Sequence, residues 1–482
     1  MALTHEEAPR QILYGIEDKP PGGRAVVFGM QHVLTMFGAT ASVPLILQGA
    51  LGMDAAQTGI LVTAVMLCSG IATILQVSIG SRLPIIQGVS FSFLAAFFSI
   101  SGQFKGAEAM QYIAGGIILG AVVEMIVGWG RLIGMLRRIL TPVVIGPVIM
   151  LIGLALLNVG APQAAKHWPM AILTIVLIFL FSQIWSRKSL ILRMFPILMA
   201  IVVVWLLALI LSVTGAIGPN HPVYIKLGTV AAAPWFKWSS DSIFLPWGVP
   251  KFHVGFFFAI LAGYLASMIE SFGDYHAVAA MSRAPAPTTQ QLNRGIGAEG
   301  LGCFITGWLG GFASTSYSEN IGLIGITRVA SRRVVFIGGI ILIVVGLIAK
   351  FGILIATIPA PIVGGLYCAL FGLISAVGIQ QVAKADLRSD RNLMIIGFIL
   401  FMGLSVPAWI RGWGPPGLPN GAKQIASAFF WAPRLGDIIK AIGDSGMAVA
   451  AIIGLCLDNW IPGTQEERGV LEAQKEPYAP IT

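Results

Sequence analysis

The sequence predicts an all-α polytopic membrane protein of fourteen transmembrane segments, arranged as two inverted repeats of seven. Three observations carry this. Charged residues make up 11% of the 482 positions, less than half the share of about 25% in soluble proteins, and mean hydropathy is +0.85. Apolar runs of roughly 17–25 residues, long enough to cross a bilayer as helices, recur along the whole chain. Two interrupted runs hold matching places in the two halves, a pattern that points to a transporter built from internal repeats. The same composition excludes a disordered chain, a disulfide scaffold and an ordinary cytosolic enzyme.

The first half contains runs at 24–48, 56–80, 84–101, 111–136, 139–158, 169–186 and 190–217. The third opens at Pro84 and carries the polar series Gln87, Gly88, Ser90 and Ser92. The second half contains runs at 253–281, 291–312, 317–328, 334–357, 362–382, 392–410 and 445–462. The tenth, 317–328, is too short to cross as a helix, and its approach from Gly310 to Ser316 is rich in poor helix formers. Residues 218–252 and 411–444 read as long loops. An odd number of spans per repeat forces the second copy to be inverted.

Net charge is +9. In a soluble protein that would suggest nucleic acid, but no basic domain stands apart from the apolar runs, so no nucleic-acid partner is expected. The charge reads as topology. Arg10, Lys19, Arg24, Arg82, Arg131, Arg137, Arg138, Arg187 and Lys188 fall on the side of the N-terminus, as do Arg328, Arg332, Arg333, Lys384, Arg388 and Arg468. By the positive-inside rule both termini face the cytoplasm, across the cell's cytoplasmic membrane, which requires an even number of spans. Cys68, Cys303, Cys368 and Cys456 lack metal-ligand spacing and read as packing residues. No metal site and no cofactor are expected.

Charge inside a span is costly and marks function by default. Glu270 and Asp274 lie four apart in the eighth run and share one helix face. Glu319 opens the tenth run, and Gln31 and His32 lie in the first. No intramembrane Lys or Arg matches the carboxylates. Such groups exchange protons, share a cation or accept paired N–H donors from a planar substrate. The plainer reading makes each one a satisfied interhelical hydrogen bond, and His32 in particular a hydrogen-bonded core residue. Glu124 is read as pairing with a neighbouring helix. Glu299, with Arg294 and Arg283 near in sequence, is read as half of a structural ion pair. Phe91 follows the break in the third run and either stacks on a flat ligand or packs. No P-loop, H-E-x-x-H or G-x-S-x-G motif is present, so neither an ATP-driven pump nor a recognisable enzyme is indicated.

The stretch from Ser318 to Arg333 resembles the signature of the nucleobase–ascorbate transporter family, also called nucleobase:cation symporter-2. Glu319, Asn320, Gly322, Thr327 and Arg328 fill its positions. Gln31 to Thr40, Glu270 to Tyr275, Asn293 to Ile296 and Ile461 to Arg468 are also similar to that family. The resemblance implies a core domain over 24–138 and 253–357 and a gate domain over 139–217 and 358–462. It also implies an extracytoplasmic loop at 218–252, cytoplasmic tails at 1–23 and 463–482, and short strands where the third and tenth segments meet. It implies a homodimer that moves a nucleobase or ascorbate with protons or sodium. By motif position Glu270 and Glu319 would grip the substrate and Phe91 would stack on it. Ser90 and Ser318 would lend backbone groups, and Tyr317 would belong to the same site. Asp274, His32, Asn320 and Gln31 would support the site and its coupling.

Glu at position 319, where animal ascorbate members tend to carry Pro, favours a nucleobase. Asp274 resembles purine members and Tyr317 to Asn320 uracil members, so the base stays open between uracil and xanthine or another purine. The competing functions are an ascorbate or other organic-anion transporter on the same fold, and a passive channel.

Overall fold

The computed structural model describes residues 12–139, 141–155, 157–236, 243–413 and 420–469. The chain begins with two long helices, α1 (Gly22–Leu51) and α2 (Ala55–Ser78). Gly52 ends α1 in the left-handed conformation at φ 67°, which a Cβ would strain. Asp54 and Gln57 then form a capping box that starts α2. Strand β1 (Gln87–Val89) and a 3₁₀ turn lead into α3 (Leu94–Gln103) and α4 (Gly106–Trp129). Next come α5 (Ile133–Ile139), α6 (Pro142–Ala155), α7 (Leu157–Ala164), α8 (Trp168–Phe179), α9 (Leu190–Met194) and α10 (Pro196–Val213). A π turn and a 3₁₀ turn separate α8 from α9.

After α11 (Leu227–Ala232) the second half opens with α12 (Val254–Met281) and α13 (Thr289–Leu309). Strand β2 (Ser314–Ser316) and α14 (Ser318–Thr327) follow, then α15 (Arg332–Leu347), α16 (Ala349–Ala356), α17 (Ala360–Val382) and α18 (Asp390–Ile410). The chain closes with α19 (Gly421–Ala428), α20 (Pro433–Asp444) and α21 (Gly446–Trp460).

Each of the fourteen expected runs overlaps helix, although the third, 84–101, also holds strand β1 and a 3₁₀ turn. Among the described residues, nine helices are long and apolar enough to cross a membrane, or eleven if two bent pairs count as single spans. Those pairs are α15–α16, bent by 79°, and α20–α21, bent by 96°. The stretch 411–444, read as a loop, holds α19 and α20. Their polar faces lower the mean hydropathy below that of a span, yet the helices still form.

Two packed groups emerge. In one, α13 lies on α4, α15 lies on α2, and α1 lies on α15. In the other, α17 lies on α6, α7 and α8, and α18 lies on α21. Glycines set the closest approaches. A Cβ on Gly128 of α4 would stand 2.2 Å from the Gly297 nitrogen of α13, so the two backbones touch. By contrast α10 turns Leu206, Leu207, Ile210 and Val213 outward, the surface expected of a helix facing lipid.

The strands pair antiparallel, Gln87 with Ser316, Gly88 with Thr315 and Val89 with Ser314. Their outward N–H groups are held by side chains. Gln87 donates to Thr73 Oγ1 at 2.9 Å, Ser316 to Ser271 Oγ at 3.2 Å and Ser314 to Cys303 Sγ at 3.3 Å. Non-helical backbone survives at membrane depth only with such partners.

Candidate functional site

The site forms where the two strands stop and their helices begin. Phe91, half-buried just past β1, packs against three separate apolar clusters, one of them built from α6, α18 and α21. It therefore stands at the junction of the two helix groups. Ser90 beside it is buried, and its N–H is already spent on the Ala313 carbonyl at 3.0 Å. Its hydroxyl caps the 3₁₀ turn by accepting from the Ser92 N–H at 3.2 Å.

Across from it α14 begins. Ser318 and Glu319 are open to solvent, whereas Asn320 is buried. The first N–H groups of a helix have no intrahelical acceptor and carry partial positive charge. On α12, Glu270 is half-buried, while Asp274, one turn on, is 7% exposed. Asp274 is satisfied: it accepts from Ser316 Oγ at 2.9 Å and from Ser318 Oγ at 2.8 Å. Among the described residues Glu270 has no such partners, and the charges around it are the carboxylates of Asp274, Glu319 and Glu299. Among the described residues no ion pair reaches Glu270, Asp274 or Glu319.

His32 and Asn320 tie α1 to α14. Asn320 Nδ2 lies 3.1 Å from His32 Nδ1 and donates to the His32 carbonyl at 2.9 Å. The plainer reading of His32, a hydrogen-bonded core residue, fits this contact. The side-chain oxygens of Gln31 and Asn320 are buried without a donor.

Three expectations change. Glu124, read as pairing with a neighbouring helix, is instead fully buried with no donor on either carboxyl oxygen. Tyr317 is 4% exposed, with its ring over Gly88. Its hydroxyl donates to the Val89 carbonyl at 2.8 Å and accepts from Thr40 at 3.0 Å. It ties β1 to α14, with its hydroxyl already committed to protein partners. Glu299 makes no ion pair with Arg294 or Arg283, both of which are exposed. It is buried and accepts from Ser267 at 2.9 Å, Ser271 at 2.6 Å and Tyr275 at 3.2 Å. Those hydroxyls lie on α12, so sequence proximity could not reveal them. Nor was Ser316 singled out as the residue that joins Asp274 to Ser271. Among the described residues no cluster of three or more His, Cys, Asp or Glu is placed to hold a metal.

Residues 23–412 match the Xan_ur_permease model, described as a permease family. The human protein "Solute carrier family 23 member 2" is 36% identical over 96% of this chain and 77% of its own length. "Nucleobase-ascorbate transporter 1" of Arabidopsis thaliana is 34% identical over 96% of this chain and 92% of that one. The chain belongs to the nucleobase–ascorbate transporter family. It is a multi-pass membrane transporter.

Solved structures share the helical fold of this transporter at much lower identity. The transmembrane domain of the cyanobacterial bicarbonate transporter BicA aligns with a TM-score of 0.51 at 14% identity, over 90% of this chain and all of that one. The murine anion transporter Slc26a9, in its inward-facing state, aligns at 0.56 and 12% identity, over 89% of this chain and 68% of that one.

Proposed function

We propose that the protein imports a nucleobase, uracil or xanthine or another purine, by symport with a cation, most simply a proton. The observation that carries this reading is the pair of carboxylates, half-buried Glu270 and exposed Glu319, with no cation beside them among the described residues. A planar base presents adjacent N–H and C=O groups. Two carboxylates accept from its N–H edge, the N–H groups at the start of α14 donate to its carbonyls, and Phe91 offers a ring face. An anion would meet repulsion at the same place. A shared fold does not carry over the substrate, so the anion-transporting neighbours do not weigh against a neutral base. Ascorbate, an anion at neutral pH, is disfavoured by the same argument.

Protons suit the coupling role because Asp274 is buried, hydrogen-bonded to Ser318 and without a basic partner among the described residues. Alternating access would carry the site between two helix groups, a core of 24–138 and 253–357 and a gate of 139–217 and 358–462. The packing of α13 on α4 and of α17 on α6 supports that division. Fourteen segments in two inverted sets of seven account for an antiparallel pair formed by the third and tenth segments. The chain would work as a homodimer in the cytoplasmic membrane, with both termini inside the cell.

The test is uptake into proteoliposomes of radiolabelled uracil, xanthine and ascorbate, with and without an inward proton gradient. A base should accumulate only with the gradient, and unlabelled ascorbate should not compete. Ascorbate competing as well as any base would overturn the assignment. Uptake unaffected by membrane energisation would replace symport with passive flow.

A further inference from the structure

Behind the substrate site lies a second acidic pair. Glu124 of α4 is fully buried, and neither of its carboxyl oxygens meets a hydrogen-bond donor. It faces Glu299 of α13 closely enough for the two charges to act on each other. The glycine contacts bring them together. Besides the Gly128 contact, a Cβ on Gly300 would stand 2.8 Å from the Met125 nitrogen, so α4 and α13 run backbone against backbone along this stretch. The groups around the pair are Tyr264 and Tyr275 from α12, Cys303 from α13 and Gln87 from β1. Gln76 of α2 adds a hydrogen bond to Tyr275. Glu270 and Asp274 are the further charges that act on Glu299. Among the described residues no Lys, Arg or His bridges to either member.

Two carboxylates in a dry interior without a cation do not both stay ionised. The donors decide which one is charged. Three hydroxyls point at Glu299 and none at Glu124, so the charge belongs on Glu299 and the proton on Glu124. From Glu299 Oε2 an unbroken chain runs to the substrate site. Ser271 Oγ lies 2.6 Å from it, Ser316 Oγ lies 2.8 Å further and Asp274 Oδ2 another 2.9 Å. Asp274 Oδ1 then accepts from Ser318 at 2.8 Å, where α14 opens to solvent.

We propose that Glu124 and Glu299 hold one proton between them and exchange protons with Asp274 through the hydroxyls of Ser271 and Ser316. In the inward step the acid O–H of Asp274 breaks and its proton passes to Ser316. Ser316 gives its own proton to Ser271, and Ser271 gives its proton to the pair. One O–H bond is lost at Asp274 and one is gained at the pair. Rotation of the two hydroxyls resets the chain, and no electrons change owner. Use of this proton in transport rests on the symport reading above, but its place in the protein does not.

Infrared difference spectra of the purified protein in lipid read the proton directly, through the carbonyl stretch of a protonated carboxyl. One component of that band should vanish in Glu124→Gln and remain in Glu108→Gln, a change to an exposed surface carboxylate. If Glu124→Gln does not fold, Glu124→Asp should move the component instead of removing it. A band identical in wild type and in the Glu124 variant would overturn the assignment. For the chain of hydroxyls, Ser271→Ala should lower gradient-driven uptake about tenfold more than base–base exchange, the loss expected of a broken buried hydrogen bond. Equal loss in both would overturn the relay. If the wild type takes up no base at all, the symport reading fails, while the infrared result still decides where the proton sits.

Discussion

The two helix groups of this transporter bury charge in opposite ways. At one end of α21, Asp458 is enclosed by cations: Arg391 Nη1 lies 2.9 Å from one carboxylate oxygen and Arg468 Nη2 2.7 Å from the other. Thr141 donates to it as well, at 2.8 Å. In the other group Glu124, Glu270, Asp274, Glu299 and Glu319 gather with no cation among the described residues. A charge kept only to hold a fold is neutralised where it lies. A set of acids left without counter-ions is stable when protons or a substrate supply the missing donors.

Breaking the neutralised cluster should give the largest effect on stability. Asp458→Ala strands two arginines and should cost about 3–5 kcal/mol. The check is the thermal unfolding midpoint in detergent, where an unchanged midpoint would contradict a structural role. Base affinity of the folded fraction should stay near wild type.

In the acidic set the order reverses. Glu270→Gln keeps the size of the side chain but turns one acceptor into a donor that opposes the substrate's own N–H. Affinity should fall about tenfold or more, with the unfolding midpoint unchanged. Equal binding by wild type and variant would remove Glu270 from the site. Asp274→Ala sits between these cases: gradient-driven uptake should suffer more than exchange, and a joint loss of binding would move Asp274 into direct substrate contact.

The smallest effect sharpens the boundary of the site. Tyr317→Phe removes the hydroxyl that links Thr40 to Val89, for about 1 kcal/mol of stability. Base affinity should move by less than about twofold. A drop as large as that of Glu270→Gln would put the Tyr317 hydroxyl on the substrate after all.

Much of the architecture was legible in the chain because hydropathy is a local property. Each apolar run became helix in whole or in part, and the two irregular runs were visible through Pro84, Gly310 and Gly311. The bend at Ile348 was not, since the run 334–357 is continuous in composition and the 79° turn arises where its two parts meet other helices. The carboxylates of the site were legible because charge within a span is rare. Their partners were not. Glu299 seemed to belong to nearby arginines, but Arg294 is exposed on another face and the donors come from α12, a different helix. The stretch Ile461 to Arg468, similar to the family, brings Arg468 back to Asp458. Tyr317 was placed in the site by motif position alone, and the extended backbone at 317 turns its buried side chain away from the exposed Ser318.

The two strands are only three residues each, too short to hold a shape by themselves. Their outer amides are gripped by Thr73 on α2, Cys303 on α13 and Ser271 on α12. Those three side chains act as hooks from three separate helices. The strand pair is therefore anchored at three points. Any displacement of the strand pair has to carry α2, α12 and α13 with it, so the load is shared among three long levers and not placed on one.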